Sequence, residues 1–312
     1  MDERYFGMRA LCLRWFGCSS SAFLVGILLV PSASAQPAQQ SWETPIVLAV
    51  QSSPSLWHDE WPQFSWVEAA LTLAAGVGTA LFFVAGPAKE PRWEGGILFD
   101  NAVRDGLRAK SSETRQQFRS IGNVTYYSTP LLPLLVDALA VSLIGRGDAK
   151  TAKNLSMMSF EAFAYSGMLS FTATRISARA RPDTTQCLRD HPDGVGCGAD
   201  TESFWSGHTS ITATAAGLVC ANHVHMPLWG HPIADAAACV LSATNAAVTA
   251  TTRIVADRHY ATDVLVGAGI GFGIGYAVPT LLHYSSGASD EGFTITPTMA
   301  CGGNCIAVQG AF

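Results

Sequence analysis

The chain is short of charge. Only 14% of its 312 residues are Asp, Glu, Lys or Arg, against roughly 25% in an ordinary soluble domain. That deficit points to a membrane, or to an unusually helical, Ala-rich core. A basic stripe is missing too, and the formal net charge is −5, so nucleic acid is not an expected partner. Strand-like alternation is scarce before the tail, and no repeat of solenoid period is evident, which argues against sandwiches and repeat arrays. A CxxC pair with matching histidine spacing is also absent, so no metal is expected from the cysteines.

What is present begins with an export signal over residues 1–35. Arg4, Arg9 and Arg14 precede the apolar run AFLVGILLV, and Ala33-Ser34-Ala35 offers small residues for cleavage before Gln36. An uncleaved anchor is the alternative, although the run is short for a span of about 20 residues. Residues 36–64, rich in Pro, Gln, Ser and Trp, read as a flexible lead-in. Of eight cysteines, Cys12 and Cys18 lie in the signal. Cys187 and Cys197 bracket a polar loop, Cys301 and Cys305 bracket a Gly-Gly-Asn turn, and close pairs in an exported chain suggest disulfides. Cys220 and Cys239 lie in apolar segments.

Apolar segments recur at 67–86, 124–145, 154–173, 207–222, 233–250 and 262–284, each about the length of a bundle helix or a span. A charged helical connector, 87–121, separates the first two. The expected fold is all-α, a bundle of about six helices over residues 65–284, embedded in a membrane. A short extended tail, 285–312, follows as a hairpin. Asp137, Glu161 and Asp235 interrupt three segments. Such groups are costly in a bilayer unless paired or cavity-facing, and the alternative is a soluble bundle carrying them at its surface.

Three polar clusters fall at the ends of these segments. TESFWSGHTS, residues 201–210, contains Ser206, Gly207 and His208. TTRIVADRHYATD holds Arg253, then His259, then Asp263. A His and an Asp four residues apart share a helical face, and a carboxylate on one imidazole nitrogen leaves the other free to attack. RISARARPD offers Arg175, Arg179 and Arg181, and the guanidinium fork matches paired phosphate oxygens. Taken singly, these read as a turn, a surface pair and a solvated helix end. With alternating helix direction, all three meet at one mouth of the bundle.

In these motifs the sequence resembles the type 2 phosphatidic acid phosphatase (PAP2) and vanadium haloperoxidase superfamily. The family pattern is Lys-x6-Arg-Pro, Pro-Ser-Gly-His and Ser-Arg-x5-His-x3-Asp. Arg253, His259 and Asp263 fit the third motif, with Thr252 in place of Ser. Ser206, Gly207 and His208 fit the second, with Trp205 in place of Pro. Arg181-Pro182 fit the first, but counting back seven places reaches Thr174 rather than Lys. Arg175, or else Arg179, stands in.

The resemblance implies a metal-independent phosphatase acting on a monoester or diphosphate, a lipid phosphate above all, through a phosphohistidine. His259 would be the nucleophile, Asp263 its orienting partner and His208 the general acid and base. Arg181, Arg253, Arg175, Ser206 and the Gly207 N–H would hold the phosphate oxygens. No cofactor is implied, unless vanadate fills the pocket in a haloperoxidase. A soluble periplasmic acid phosphatase and a non-catalytic scaffold are the other readings. The expected partners are the lipid phosphate and membrane lipid. The setting is a bacterial-type cell envelope, with the site on the periplasmic face of the inner membrane. Helix parity and the seven Lys and Arg residues of the connector favour the cytoplasmic side, whereas the Cys187–Cys197 loop favours an oxidising one. His223, His225 and His231 sit about 20 Å along the fourth segment from His208, too far to join this chemistry.

Overall fold

Caps and prolines decide where the apolar segments start and stop. The computed structural model describes residues 54–285 except 192, 194 and 199, together with the backbone of 294–298 and 305–309. Helix α1, Trp66–Ala85, opens on Ser65, whose hydroxyl accepts from the Glu68 N–H while the Glu68 carboxylate accepts from the Ser65 N–H. That reciprocal pair satisfies two donors left over at any helix start. The connector folds into α2, Asp100–Leu107, and α3, Ser112–Ser128. Beyond α3 comes a π-helical segment, Leu132–Gly145, bent by 40°. The single helix expected over 124–145 is thus broken, because Pro130 and Pro133 have no N–H to continue the ladder.

Helices α4, Ala149–Ser177, α5, Pro182–Asp190, α6, Gly207–His225, α7, Pro232–Val255, and α8, Ala261–Leu282, complete the helical part. The fold is all-α as expected: seven long elements, one more than the expected six because of that break, form the bundle, and the short α2 and α5 sit at one end. In the tail, Thr294–Thr298 pairs antiparallel with Cys305–Gln309. The signal and residues 36–53 lie outside the described residues, as does Cys301 with its expected bridge to Cys305.

Part of the lead-in folds onto the bundle. Ser55 Oγ and the Leu56 N–H donate to the Asp148 carboxylate. Trp57 and Trp61 are buried among Leu155, Met158, Met226 and Tyr284. Large rings that find an apolar pocket carry enough buried area to order the segment holding them. The folded part therefore begins before residue 65.

Helix α6 is the buried axis, and it packs most extensively on α8. Glycines make that possible. A Cβ at Gly267 would lie 2.8 Å from the Ser206 carbonyl, one at Gly271 2.2 Å from that of Ser210, and one at Gly275 2.0 Å from that of Thr214. The two backbones touch along a small-residue seam at i, i+4 and i+8. The alternate Gly269 and Gly273 meet nothing and lie off the seam. Because the seam sets the register, the start of α6 is brought beside the start of α8. One disulfide joins Cys187 to Cys197; a second, Cys220–Cys239, ties α6 to α7 within the apolar segments.

Three helices, α1, α7 and α8, are long and apolar enough to cross a membrane, or four if α3 and the π-helical segment count as one span. α1 buries none of its residues and exposes Leu71, Leu73, Phe83 and Val84, the pattern of a helix facing lipid. The carboxylates that interrupt the other segments are not at the surface. Asp137 and Asp235 flank His223, and Glu161 accepts from His283 at 2.9 Å, all of them buried. Pairing offsets the cost of burying them.

Candidate active site

The ends of α4 and α7 meet the beginnings of α6 and α8, and the catalytic candidates gather there. α4 stops at Ala178, which takes a left-handed conformation with φ 40°. The chain then runs extended beside Trp93, to whose carbonyl the Ala180 N–H donates. That turn sends Arg179 inward, where it is wholly buried between the rings of Trp93 and Tyr260, 4.0 and 4.1 Å from their centres. Its guanidinium donates to Asp263 at 2.5 Å and to Asp100 at 2.8 Å. One cation between two carboxylates leaves a negative charge over. Donors spread it: Ser203 Oγ and the Tyr260 N–H bond Asp263, and Thr262 bonds Asp100 through both its N–H and its hydroxyl. A buried ion cluster is tolerable only when its remaining lone pairs are filled in this way.

His259 is 3% exposed, and its Nδ1 lies 2.8 Å from the Ser203 carbonyl. A carbonyl only accepts, so Nδ1 carries the proton and Nε2 keeps its lone pair. Asp263 Oδ2 stands 3.8 Å from Nδ1, beyond a hydrogen bond. The expected direct clasp of His259 by Asp263 is therefore replaced by an indirect one. Asp263 fixes Ser203, and the Ser203 backbone fixes the imidazole. Burial, with Arg181, Arg253 and Arg258 adding to it, holds His259 well below the usual histidine range, although the Ser203 carbonyl pulls the other way. The ring is neutral, as a nucleophile must be.

Two cavities lie here, sharing His208 and Arg181 in their walls. The larger, about 350 Å³, is lined by His259, His208, Gly207 and Arg181 and also by Phe83, Phe163 and Phe171. The smaller, about 220 Å³, is lined by Arg119, Asn123, Tyr127, Arg181, His208, Arg253 and Arg258. Arg181, His208 and Tyr127 belong to both. Arg253, 2% exposed, donates to Asn123 Oδ1 at 2.5 Å, and its Nε has no partner. Arg181 is held through Nε by Asp200 at 2.6 Å. His208 lies against the Tyr126 ring, 4.2 Å between centres. Such a set can hold an anion with guanidinium groups while an unprotonated imidazole faces it.

His208, His259, Arg181, Arg253 and Gly207 are brought together as the motifs imply, and Asp263 stands one step behind. Two candidates are not brought there. Ser206 is the N-cap of α6: its hydroxyl accepts from the Thr209 N–H, it is fully buried, and it lines neither cavity. Its predicted phosphate contact is replaced by a capping role. Arg175 lies in the last turn of α4, before the Ala178 turn, so it stays behind when Arg179 and Arg181 swing inward, and it lines neither cavity. Sequence reasoning missed Ser203, Arg258 and the α3 face. Arg119, Asn123, Tyr126 and Tyr127 recur at helical spacing on one side of α3, a signal that was available but had no motif attached.

The far end of α6 holds the other histidines. His223 is clamped between Asp235 at 2.6 Å and Asp137 at 3.3 Å. His225 bonds the Ala221 carbonyl and stacks on Tyr284, and His231 caps α7. Among the described residues, no three His, Cys, Asp or Glu side chains are grouped to hold a metal ion.

No curated protein and no solved structure matches the chain. Residues 156–286, which carry Arg181, Ser206, Gly207, His208, Arg253, His259 and Asp263, match the PAP2 superfamily, the family that the three motifs resemble.

Proposed function

We propose that the chain is a phosphatase that cleaves a phosphate monoester or diphosphate in two steps, with no metal ion in the chemistry. The observation that carries this reading is the shared lining of one cavity by His259, His208 and Arg181, next to a second that adds Arg253. In the first step His259 Nε2 attacks phosphorus, the bond to the leaving oxygen breaks, and His208 gives that oxygen a proton. In the second, His208 takes a proton from water, the resulting hydroxide attacks phosphorus, and the P–N bond breaks to release phosphate. Arg181, Arg253 and the Gly207 N–H stabilise the oxygens throughout, where most of the catalytic advantage in phosphoryl transfer lies. Burial first, and then the guanidinium groups around it, disfavour a proton on His208, and a phosphate dianion in the cavity offsets the guanidinium share.

A lipid phosphate is the substrate we favour. Phe83, Phe163, Phe171 and Ile211 line the larger cavity together with the histidines, and Phe83 belongs to the exposed, apolar α1. An acyl or prenyl chain fits such a wall, whereas a small soluble ester leaves it wet. The Cys187–Cys197 bridge lies close after Arg181-Pro182, which supports a site facing an oxidising compartment, the periplasmic side of an inner membrane.

The test is phosphate release from phosphatidate and from p-nitrophenyl phosphate, in detergent with EDTA, by wild type and by His259→Ala. Release that survives EDTA and vanishes in the variant supports the phosphohistidine. A preference for p-nitrophenyl phosphate would move the protein to a broad acid phosphatase. Vanadate-dependent bromide oxidation without phosphate release would move it to a haloperoxidase.

A further inference from the structure

The first motif lacks its lysine, and neither arginine that the sequence offers in its place is available. Arg175 lines neither cavity. Arg179 spends its guanidinium on Asp263, Asp100, Thr262 and the Gly95 carbonyl, with nothing left for a ligand. Resting on the phosphatase reading above, we infer that Arg258, the residue just before His259, supplies the missing phosphate-binding cation through its Nε–H.

Three observations carry this. Arg258 lines the smaller cavity together with Arg181, Arg253 and His208. Its two terminal nitrogens are taken: one donates to Asp183 at 2.8 Å, the other to Asp200. Its Nε is buried and has no hydrogen-bond partner. A guanidinium gripped from behind by two carboxylates cannot swing, so its Nε–H, the one nitrogen left with no partner, points in a fixed direction at no further entropic cost. Asp200 grips Arg181 as well, so one carboxylate sets the spacing of two cations. A buried donor left unpaired is costly, and a phosphate oxygen relieves that cost when it binds.

The arrangement makes an unusual demand. Arg258→Lys keeps the charge, but lysine has no Nε–H, and its ammonium is drawn to Asp183 and Asp200. The conservative change should therefore fail to rescue. The measurement is orthovanadate binding by calorimetry, with the full chain in detergent, for wild type, Arg258→Lys, Arg258→Ala and Arg119→Ala, each with its melting temperature. Wild type is expected to bind. Arg258→Lys should melt near wild type yet bind vanadate roughly 10- to 100-fold more weakly, the loss expected of one hydrogen bond to a charged group. In turnover, KM for p-nitrophenyl phosphate and kcat should both worsen, because the contact forms with the bound phosphate and strengthens as charge shifts onto its oxygens in the transition state.

Vanadate affinity within twofold of wild type in a folded Arg258→Lys overturns the inference. So does a loss confined to Arg119→Ala, which would give the role to the exposed arginine at the rim of the same cavity. If Arg258→Ala fails to fold, the lysine variant still decides, since it keeps the partner of both carboxylates. A wild type that binds no vanadate overturns the phosphoryl pocket itself, and this reading with it.

Discussion

His208 and His223 lie on the same helix, four turns and about 22 Å apart, and they meet opposite treatment. At the far end His223 is clamped on both ring nitrogens by Asp235 and Asp137, and the Trp229 N–H adds a bond to the same Asp235 oxygen. At the near end His208 has an aromatic neighbour, two cavities at its side and arginines around it. A histidine saturated by carboxylates is a strut: its proton is shared and its position fixed. One left with a free nitrogen beside cations is a reagent. Residue type alone does not separate the two roles. What separates them is whether the partners leave a lone pair or a proton free to move.

The comparison breaks most sharply by exchanging the two ends. His208→Ala should cut kcat by roughly 10²–10⁴-fold, as loss of a general acid and base does, with little change in melting temperature. His223→Ala should do the reverse. Per folded molecule its kcat should stay within about threefold, but stability should fall by about 3–5 kcal/mol, because Asp137 and Asp235 lose the imidazole they share and stay buried side by side. Turnover alongside thermal unfolding checks both; comparable kcat losses at the two ends would sink the distinction.

Next in size is the indirect clasp at the reactive end. Asp263→Asn should lower kcat by roughly 10²-fold or more, since Arg179 and Ser203 both donate to that carboxylate and an amide offers only one acceptor oxygen. Ser203→Ala, which keeps the carbonyl that holds His259, should cost under about tenfold. Steady-state kinetics on both decides whether the backbone or the side chain of Ser203 matters more.

The seam that aligns the two ends gives a smaller, stability-level effect. Gly271→Ala should destabilise by about 1–3 kcal/mol, because its methyl meets the Ser210 carbonyl; Gly269→Ala, with open space around it, should be neutral. Melting temperatures in one detergent compare them.

The smallest effects sharpen the site rather than break it. The folded state resists protonating His259, while the unfolded chain protonates it near pH 6.5. The sign is therefore a stability contribution complete above that pH and lost as pH falls below it, at up to about 1.4 kcal/mol per pH unit. His259→Asn should flatten the decline in melting temperature between pH 6.5 and 5. Arg175→Ala should leave kcat/KM within about twofold, since that residue lines neither cavity; a larger loss would restore it to the phosphate site.

Periodicity and composition by themselves determined that the chain is helical, apolar and built of long elements. Motif spacing determined that His208, Arg181, Arg253 and His259 share a mouth. Those features are local, or follow from helix length and alternation, and a single chain writes them plainly. Only the tertiary structure decided which arginine does what. Arg175, Arg179 and Arg181 are near neighbours in sequence, yet the left-handed turn at Ala178 sends Arg179 to Asp263 and Arg181 to the cavity, and leaves Arg175 outside. It also decided that Ser206 is a cap, that Ser203 holds His259, and that α3, far away in the chain, closes the site with Asn123 and Tyr126. The physical reason is the same each time. A hydrogen bond between residues distant in sequence depends on where two backbones pass, and here the glycine seam between α6 and α8 sets that passage.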